Sequence, residues 1–279
     1  MKVVAFGRSG QVARALAALG AECHGRESAD FGDPAGVAEV ARGLEADAFV
    51  NAAAYTAVDA AEENAAEAQR INADSVGALA RVAAERGIPL VHISTDYVFD
   101  GSGAAPWAPD APVSPLGAYG RTKLAGEVAL REAGGTHAIL RTSWVFSATG
   151  ANFVKTMLRV GADRPLLRVV ADQIGGPTPA DAIAAACIEI AGQLREAPEK
   201  TGTYHFSGAP DTSWAGFARE IFAVAGMDTQ VEEIPSAEYP TPAARPLNSR
   251  LDCSATEAAF GIARPDWRAA LGRVLEELK

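Results

Sequence analysis

Lys2-Val3-Val4-Ala5-Phe6-Gly7-Arg8-Ser9-Gly10-Gln11-Val12-Ala13 is the stretch that decides the fold. Residues 2–6 form a short, nearly continuous apolar run, the pattern of a parallel strand buried on both faces. Beyond the glycines, Val12, Ala15, Leu16 and Leu19 recur at helical spacing. The order is therefore strand, glycine turn, helix, the context in which a glycine fingerprint implies dinucleotide binding. Gly7 permits a tight turn, and Gly10 lets the backbone of Gln11 and Val12 approach a pyrophosphate at the helix N-terminus. Ala13 stands where a third glycine is usual and is still small enough for close helix–strand packing.

Working outward, apolar strands are expected at about 22–25, 47–51, 90–94 and 138–146, with alanine-rich amphipathic helices at 58–70 and 73–86. This alternation predicts an α/β fold: a doubly wound, mostly parallel sheet with a smaller C-terminal lobe. The reading places a dinucleotide-binding core at 1–146 and a mainly substrate-binding lobe at 147–279, with about 166–195 returning to the sheet. Arg26, at the end of the second strand, can accept the 2′-phosphate of NADPH, while NADH stays open. Asp30 can line the adenine pocket instead, and a solvated charged loop is the plain alternative for both. Ala52, Ala53, Ala54 and Thr56 follow the third strand and leave its backbone open to a flat cofactor. The loop at 101–118 is punctuated by Pro106, Pro109, Pro112 and Pro115.

Thr95 and Asp96 close the fourth strand, at the sheet end where ligands of such folds sit. Tyr119 and Lys123 share one helical face at i and i+4. Delivery of hydride to a carbonyl carbon leaves an alkoxide that must take a proton. A phenol beside an ammonium is expected to have a lowered pKa and to supply that proton.

The chain has 279 residues, 48% hydrophobic and 22% charged, an ordinary globular composition. A net charge of −10 argues against non-specific nucleic-acid binding. No apolar run reaches the ~20 residues that span a bilayer. Three widely separated cysteines and four scattered histidines give no metal spacing, and together with the absence of a signal pattern they predict a cytoplasmic protein without a metal site.

Taken together, Gly7-x-x-Gly10-Gln11-Val12, Asn51–Asp59, Ser94–Phe99, Tyr119–Glu127, Arg141–Phe146, Asn152–Leu158, Asp172–Thr178 and Tyr239–Leu251 resemble the extended short-chain dehydrogenase/reductases. Within them the pattern is similar to the dTDP-4-dehydrorhamnose reductase family, across essentially the whole chain. The resemblance implies a catalytic set of Thr95, Tyr119 and Lys123. Lys123 would also hold the nicotinamide ribose, and Thr95 would hydrogen-bond the substrate oxygen. Asp96, Trp144 and Asn152 would lie beside the sugar, and Arg245, Asn248 and Arg250 near the nucleotide end. Some relatives form homodimers through a magnesium ion held by glutamates, a pattern that cannot be carried over here. A sugar-nucleotide dehydratase resembles the chain less, because Tyr97 stands where dehydratases carry glutamate. A non-catalytic regulatory subunit of the methionine adenosyltransferase type shares the fold but has no need of an intact Thr95, Tyr119 and Lys123.

Overall fold

The structure, a computed structural model, describes residues 1–279. Its first half alternates as the sequence predicts: β1 (Val3–Phe6), α1 (Gln11–Ala18), β2 (Glu22–His24), α2 (Pro34–Gly43), β3 (Ala48–Asn51), α3 (Ala60–Glu63), α4 (Ala65–Gln69), α5 (Ser75–Arg86), β4 (Leu90–Thr95), α6 (Ala118–Ala133) and β5 (His137–Thr142). The second half carries β6 (Val145–Phe146), α7 (Phe153–Ala162), β7 (Leu166–Val170), β8 (Ile174–Gly175), β9 (Thr178–Pro179), α8 (Ala180–Glu196), β10 (Gly202–His205), β11 (Thr212–Ser213), α9 (Trp214–Ala225), β12 (Gln230–Ile234), β13 (Asn248–Ser249), α10 (Ser254–Phe260) and α11 (Trp267–Glu277).

Six parallel strands form the central sheet in the order β10-β5-β4-β3-β1-β2. One face is closed by α2 and α5, through Val37, Val76, Leu79 and Val82 against Phe6, Phe49 and Leu90. The other is closed by α1 and α8, through Leu16, Ile183, Ile190 and Leu194. Alanines at 184, 186 and 191 keep α8 close to the strands, because a methyl fills little of the gap. The sheet is therefore doubly wound, and the order in which strands are added reverses between β1 and β3, where such sheets open a crevice.

The second half departs from the reading of the sequence at two points. The strand expected over 138–146 is broken. Trp144, with φ +49°, is the one non-glycine residue in the left-handed region, and it turns the chain out of the central sheet into the β6–β9 pair. Of 166–195, only α8 packs on the central sheet. β7 pairs with β12 in a sheet of its own, and the sixth central strand is β10. A separate core of Phe146, Val154, Phe217, Phe222, Trp267 and Leu271 holds α7, α9 and α11 together. No helix is long and apolar enough to cross a membrane.

Candidate active site

The crevice opens beside α1. Gly7 has φ +117°, and a Cβ there would stand 3.1 Å from the Ala52 carbonyl, so β1 and β3 can approach only at glycine. Gly10 caps α1 with extended backbone and no side-chain cap, and the first turn carries no acidic residue. The first N–H groups of this eight-residue helix are left for an anion, as a pyrophosphate requires. A cavity of about 940 Å³ runs from there past Gly7, Gly10, Ala52, Ala53, Ala54 and Thr56 to Arg26 and Asp30. The residues present fit a dinucleotide.

Several of the residues singled out in the sequence have partners of their own. Arg26 is 72% exposed on its side chain and lies 3.5 Å from Asp30 and 3.9 Å from Glu67. Gln11 spends its amide on the second lobe: its Nε2 donates to the Val145 carbonyl, and its Oε1 accepts from Ser147 and Asn152. Asn152 caps α7 by accepting from Lys155 N and donates to Gln11 at 3.0 Å, so the two amides tie α1 to the second lobe. Val12 packs, partly buried, against the core under α1.

At the carboxyl end of β4, α6 is drawn in tightly. A Cβ at Gly120 would collide with the Tyr97 carbonyl, and one at Gly126 with the Asn72 carbonyl. Glycine at 120, between Tyr119 and Lys123, is what seats that pair against Thr95. The Tyr119 phenol faces the Thr95 hydroxyl and lies edge-on to Tyr97, with ring centroids 5.4 Å apart. Thr95 Oγ1 donates to Asp96 Oδ1 at 3.1 Å and accepts from Tyr97 N. Asp96 Oδ2 is buried without a hydrogen-bond partner. Burial pushes the Asp96 carboxyl up to about 6, offset in part by the nearby Ser249 and Thr95 hydroxyls.

The expected lowering of the tyrosine pKa is absent. Burial pushes Tyr119 up to about 12; the Thr95 hydroxyl opposes the rise and the Asp96 charge adds to it. Lys123 Nζ is turned the other way, 2.8 Å from the Ile93 carbonyl oxygen and 3.4 Å from His92 Nε2. Burial lowers its own pKa to about 8, against a small raising effect of Glu127.

Trp144 stacks on Trp214, with centroids 3.6 Å apart, beside Gly175. Arg245 donates to Asp59 Oδ2 at 2.8 Å, and Arg250 donates to Asn248 Oδ1 at 3.0 Å. Asn248 Nδ2 in turn holds the carbonyls of Ser102 and Ala105. Asn248 therefore fastens the loop after β4 to the C-terminal segment, Arg250 steadies Asn248, and Arg245 ties the same segment to the stretch after β3. No group of three or more His, Cys, Asp or Glu side chains is arranged to hold a metal ion.

The family described as the RmlD substrate binding domain matches residues 1–279. The chain belongs to this family. A dTDP-4-dehydrorhamnose reductase of Sinorhizobium fredii is 43% identical over 99% of this chain and 97% of its own length. One from Escherichia coli K12 is 42% identical over 100% and 98%. Among solved structures, a dTDP-4-dehydrorhamnose reductase of Clostridium acetobutylicum superposes with a TM-score of 0.92 at 33% identity, covering 100% of this chain and 99% of that one. The Bacillus anthracis enzyme, in complex with NADP, gives a TM-score of 0.90 at 32% identity over 99% and 100%.

Three features of this site were left unassigned from the sequence. Asn51 and His92 are polar residues inside apolar strands, and only the parallel register of β3 on β4 makes them neighbours. Glu127, fully buried, accepts from Ser94, Arg131 and Arg141, which locks α6 to β4 and β5. Gly120 had a sequence signal, a glycine in the first turn of a helix, where it lowers helix propensity unless packing requires it.

Proposed function

We propose that the protein reduces the 4-keto group of dTDP-4-dehydro-L-rhamnose to give dTDP-L-rhamnose, using NADPH, with NADH as the lesser donor. What supports this is that Tyr119 faces Thr95 at the carboxyl end of β4, with Lys123 one helical turn along, in the same sheet whose β1 and β3 ends border a cavity that suits a dinucleotide. Membership of the RmlD family and the names of its close relatives supply the substrate. Nicotinamide bound in the crevice supplies the hydride that adds to C4 of the sugar.

The side chains do the rest. Gly7, Gly10 and Ala52–Ala54 give the dinucleotide its bed, and Arg26 meets the 2′-phosphate. Tyr119 supplies the proton. In the reductive direction the group needed is an acid, and a phenol with its pKa raised to about 12 by burial stays protonated at neutral pH. A sugar alkoxide is far more basic than phenolate, so the transfer runs downhill even from this weak acid. Thr95 orients the keto oxygen towards the phenol, its hydroxyl hydrogen swinging from Asp96 to the substrate. Lys123, one helical turn from Tyr119, would anchor the ribose after turning from the Ile93 carbonyl. Trp144 and Asp96 form walls of the sugar pocket, and Arg245 and Arg250 meet the diphosphate after leaving their present partners.

The test is the fall in nicotinamide absorbance on adding dTDP-4-dehydro-L-rhamnose, with native protein and with Tyr119→Phe. Loss of one general acid lowers kcat by roughly 10²–10⁴-fold, and NADPH affinity should stay unchanged. Absence of turnover by the native protein would refute the substrate. Near-native kcat in the variant would refute the proton donor.

A further inference from the structure

Lys123 lies at one end of a buried polar chain whose donors and acceptors can be assigned one after another. Asn51 Oδ1 accepts from the backbone N–H of Ala53 at 3.0 Å. An N–H can only donate, so the amide orientation is fixed and Nδ2 is the end that faces His92. Nδ2 stands 3.0 Å from His92 Nδ1 and donates to it. Nδ1 therefore carries the lone pair. His92 is wholly buried, and burial, followed by the charges of Lys123 and His137, holds its pKa well below the usual value, so the ring is neutral. In a neutral ring with a bare Nδ1 the hydrogen sits on Nε2. Nε2 is the atom 3.4 Å from Lys123 Nζ.

An ammonium there would meet this N–H hydrogen to hydrogen. An uncharged amine would accept from it and still donate to the Ile93 carbonyl, 2.8 Å away. We infer that His92 is a positioning residue which, held in one tautomer by Asn51, presents Nε2–H to Lys123, favours the uncharged amine and sets the pH at which Lys123 changes charge. The titratable groups around Lys123 do not reverse this. Glu127, one turn along α6, is engaged by Arg141, Arg131 and Ser94. Tyr119, one turn back, is a neutral phenol, Asp96 follows β4 across from it, and His137 on β5 is lowered by burial. β3 contributes Asn51, which is uncharged. The lowered pKa of buried Lys123 agrees in direction. The same chain reaches the cofactor bed, since the amide that fixes the tautomer also holds Ala53. The inference rests on the reading of Lys123 as part of the reductase site.

Two measurements on the full chain test it, with and without NADPH. Histidine ring ¹⁵N shifts should report His92 as the Nε2–H tautomer, a readout that needs neither substrate nor turnover; an Nδ1–H tautomer would overturn the inference. Titration of Lys123 by its ¹³Cε shift should move up by about one pH unit in His92→Leu, the scale of one hydrogen bond to a charged group. The limb of kcat/KM governed by Lys123 should move with it. A limb that stays put, or moves down, makes His92 a bystander or a stabiliser of the ammonium, and the inference fails. Asn51→Asp keeps the bond to Ala53 and covers a failure of His92→Leu to fold. A carboxylate must accept from Nδ1–H, so the ring hydrogen should switch nitrogens and Lys123 should again titrate higher; an unswitched ring would count against the chain of assignments. If the ketosugar is not turned over but the tautomer and titration hold, the proposed substrate fails and the inference stands.

Discussion

Replacing Lys123 by methionine tests how strongly the fold resists a charge at the centre of the site. The lysine is 2% exposed, and its pKa falls from 10.5 to about 8 through burial. Below pH 8 both folded and unfolded chains hold the proton, and the folded chain bears the whole cost of burying it. Between pH 8 and 10.5 the unfolded chain binds more protons than the folded one, so native stability rises with pH through that window. Each pK unit is worth about 1.4 kcal/mol, so the full cost is about 3 kcal/mol. Between pH 7 and 9.5 the native protein should recover about 2 kcal/mol of it. The thioether of the Lys123→Met variant cannot titrate. The bond lost to the Ile93 carbonyl is the same at both pH values, and the other titrating groups are common to both proteins. Urea unfolding of each protein at pH 7 and 9.5 therefore gives a difference of differences that isolates Lys123. The advantage of Lys123→Met over native should shrink, or its deficit grow, by about 2 kcal/mol on going to pH 9.5. An unchanged difference would mean that Lys123 keeps an ordinary pKa in the fold.

Asp96→Asn should behave with the opposite pH sense. A carboxyl raised from 3.8 to about 6 costs nothing below pH 3.8 and its full amount, up to about 3 kcal/mol, above pH 6. The variant should gain on native between pH 4 and 7 in urea titrations, and no gain would show that Asp96 is not strained by burial. Gly120→Ala puts a methyl against the Tyr97 carbonyl. It should cost about 1–3 kcal/mol and lower kcat more than it raises KM for NADPH, and a neutral result in thermal unfolding and kinetics would remove Gly120 from the account of how Tyr119 is seated. Arg26→Ala should raise KM for NADPH only a few-fold, as an exposed pair worth about 0–1 kcal/mol implies, and leave NADH unchanged. Equal changes for the two donors would make Arg26 a surface charge.

What could be read from the sequence was what local spacing encodes. A four-residue apolar strand, two glycines and a helix of period 3.6 need no tertiary information, and they encode β1, α1 and the glycine turn between them. Tyr119 and Lys123 were legible for the same reason: four residues on a helix is one face. What escaped depends on which strands become neighbours. Asn51 and His92 are 41 positions apart and meet only through the register of β3 on β4. β10 reads Gly202-Thr203-Tyr204-His205 and has no apolar run to announce a central strand. The break at Trp144 is hidden because tryptophan rarely adopts positive φ, a conformation that costs about 1–3 kcal/mol and is held here by the stack on Trp214 and the open face of Gly175. The direction of the Tyr119 shift escaped for a different reason. Spacing puts an ammonium near a phenol but does not say how dry the pocket is or which way the ammonium turns.

That turn has a cause one helical turn away. Lys123 and Glu127 stand at i and i+4 on α6, the spacing at which a lysine and a glutamate ordinarily pair. Here the glutamate is taken. Arg141 binds both of its oxygens, at 2.9 and 2.7 Å, with Ser94 at 2.6 Å and Arg131 at 2.7 Å. Burial alone would raise Glu127, but these bonds and charges outweigh it and keep it ionised. Two cations already balance that carboxylate, so Lys123 is left with a carbonyl oxygen and an imidazole, neither of which carries a negative charge. A buried lysine without a carboxylate loses its proton easily. The Arg141–Glu127 pair thus does more than fasten α6 to β5: by occupying the glutamate it leaves Lys123 without a carboxylate of its own, and burial lowers the lysine pKa to about 8. Arg141→Gln removes one of the two cations that balance Glu127 and should raise the pH at which Lys123 loses its proton, read from its ¹³Cε shift; an unchanged titration would show that the glutamate does not govern Lys123.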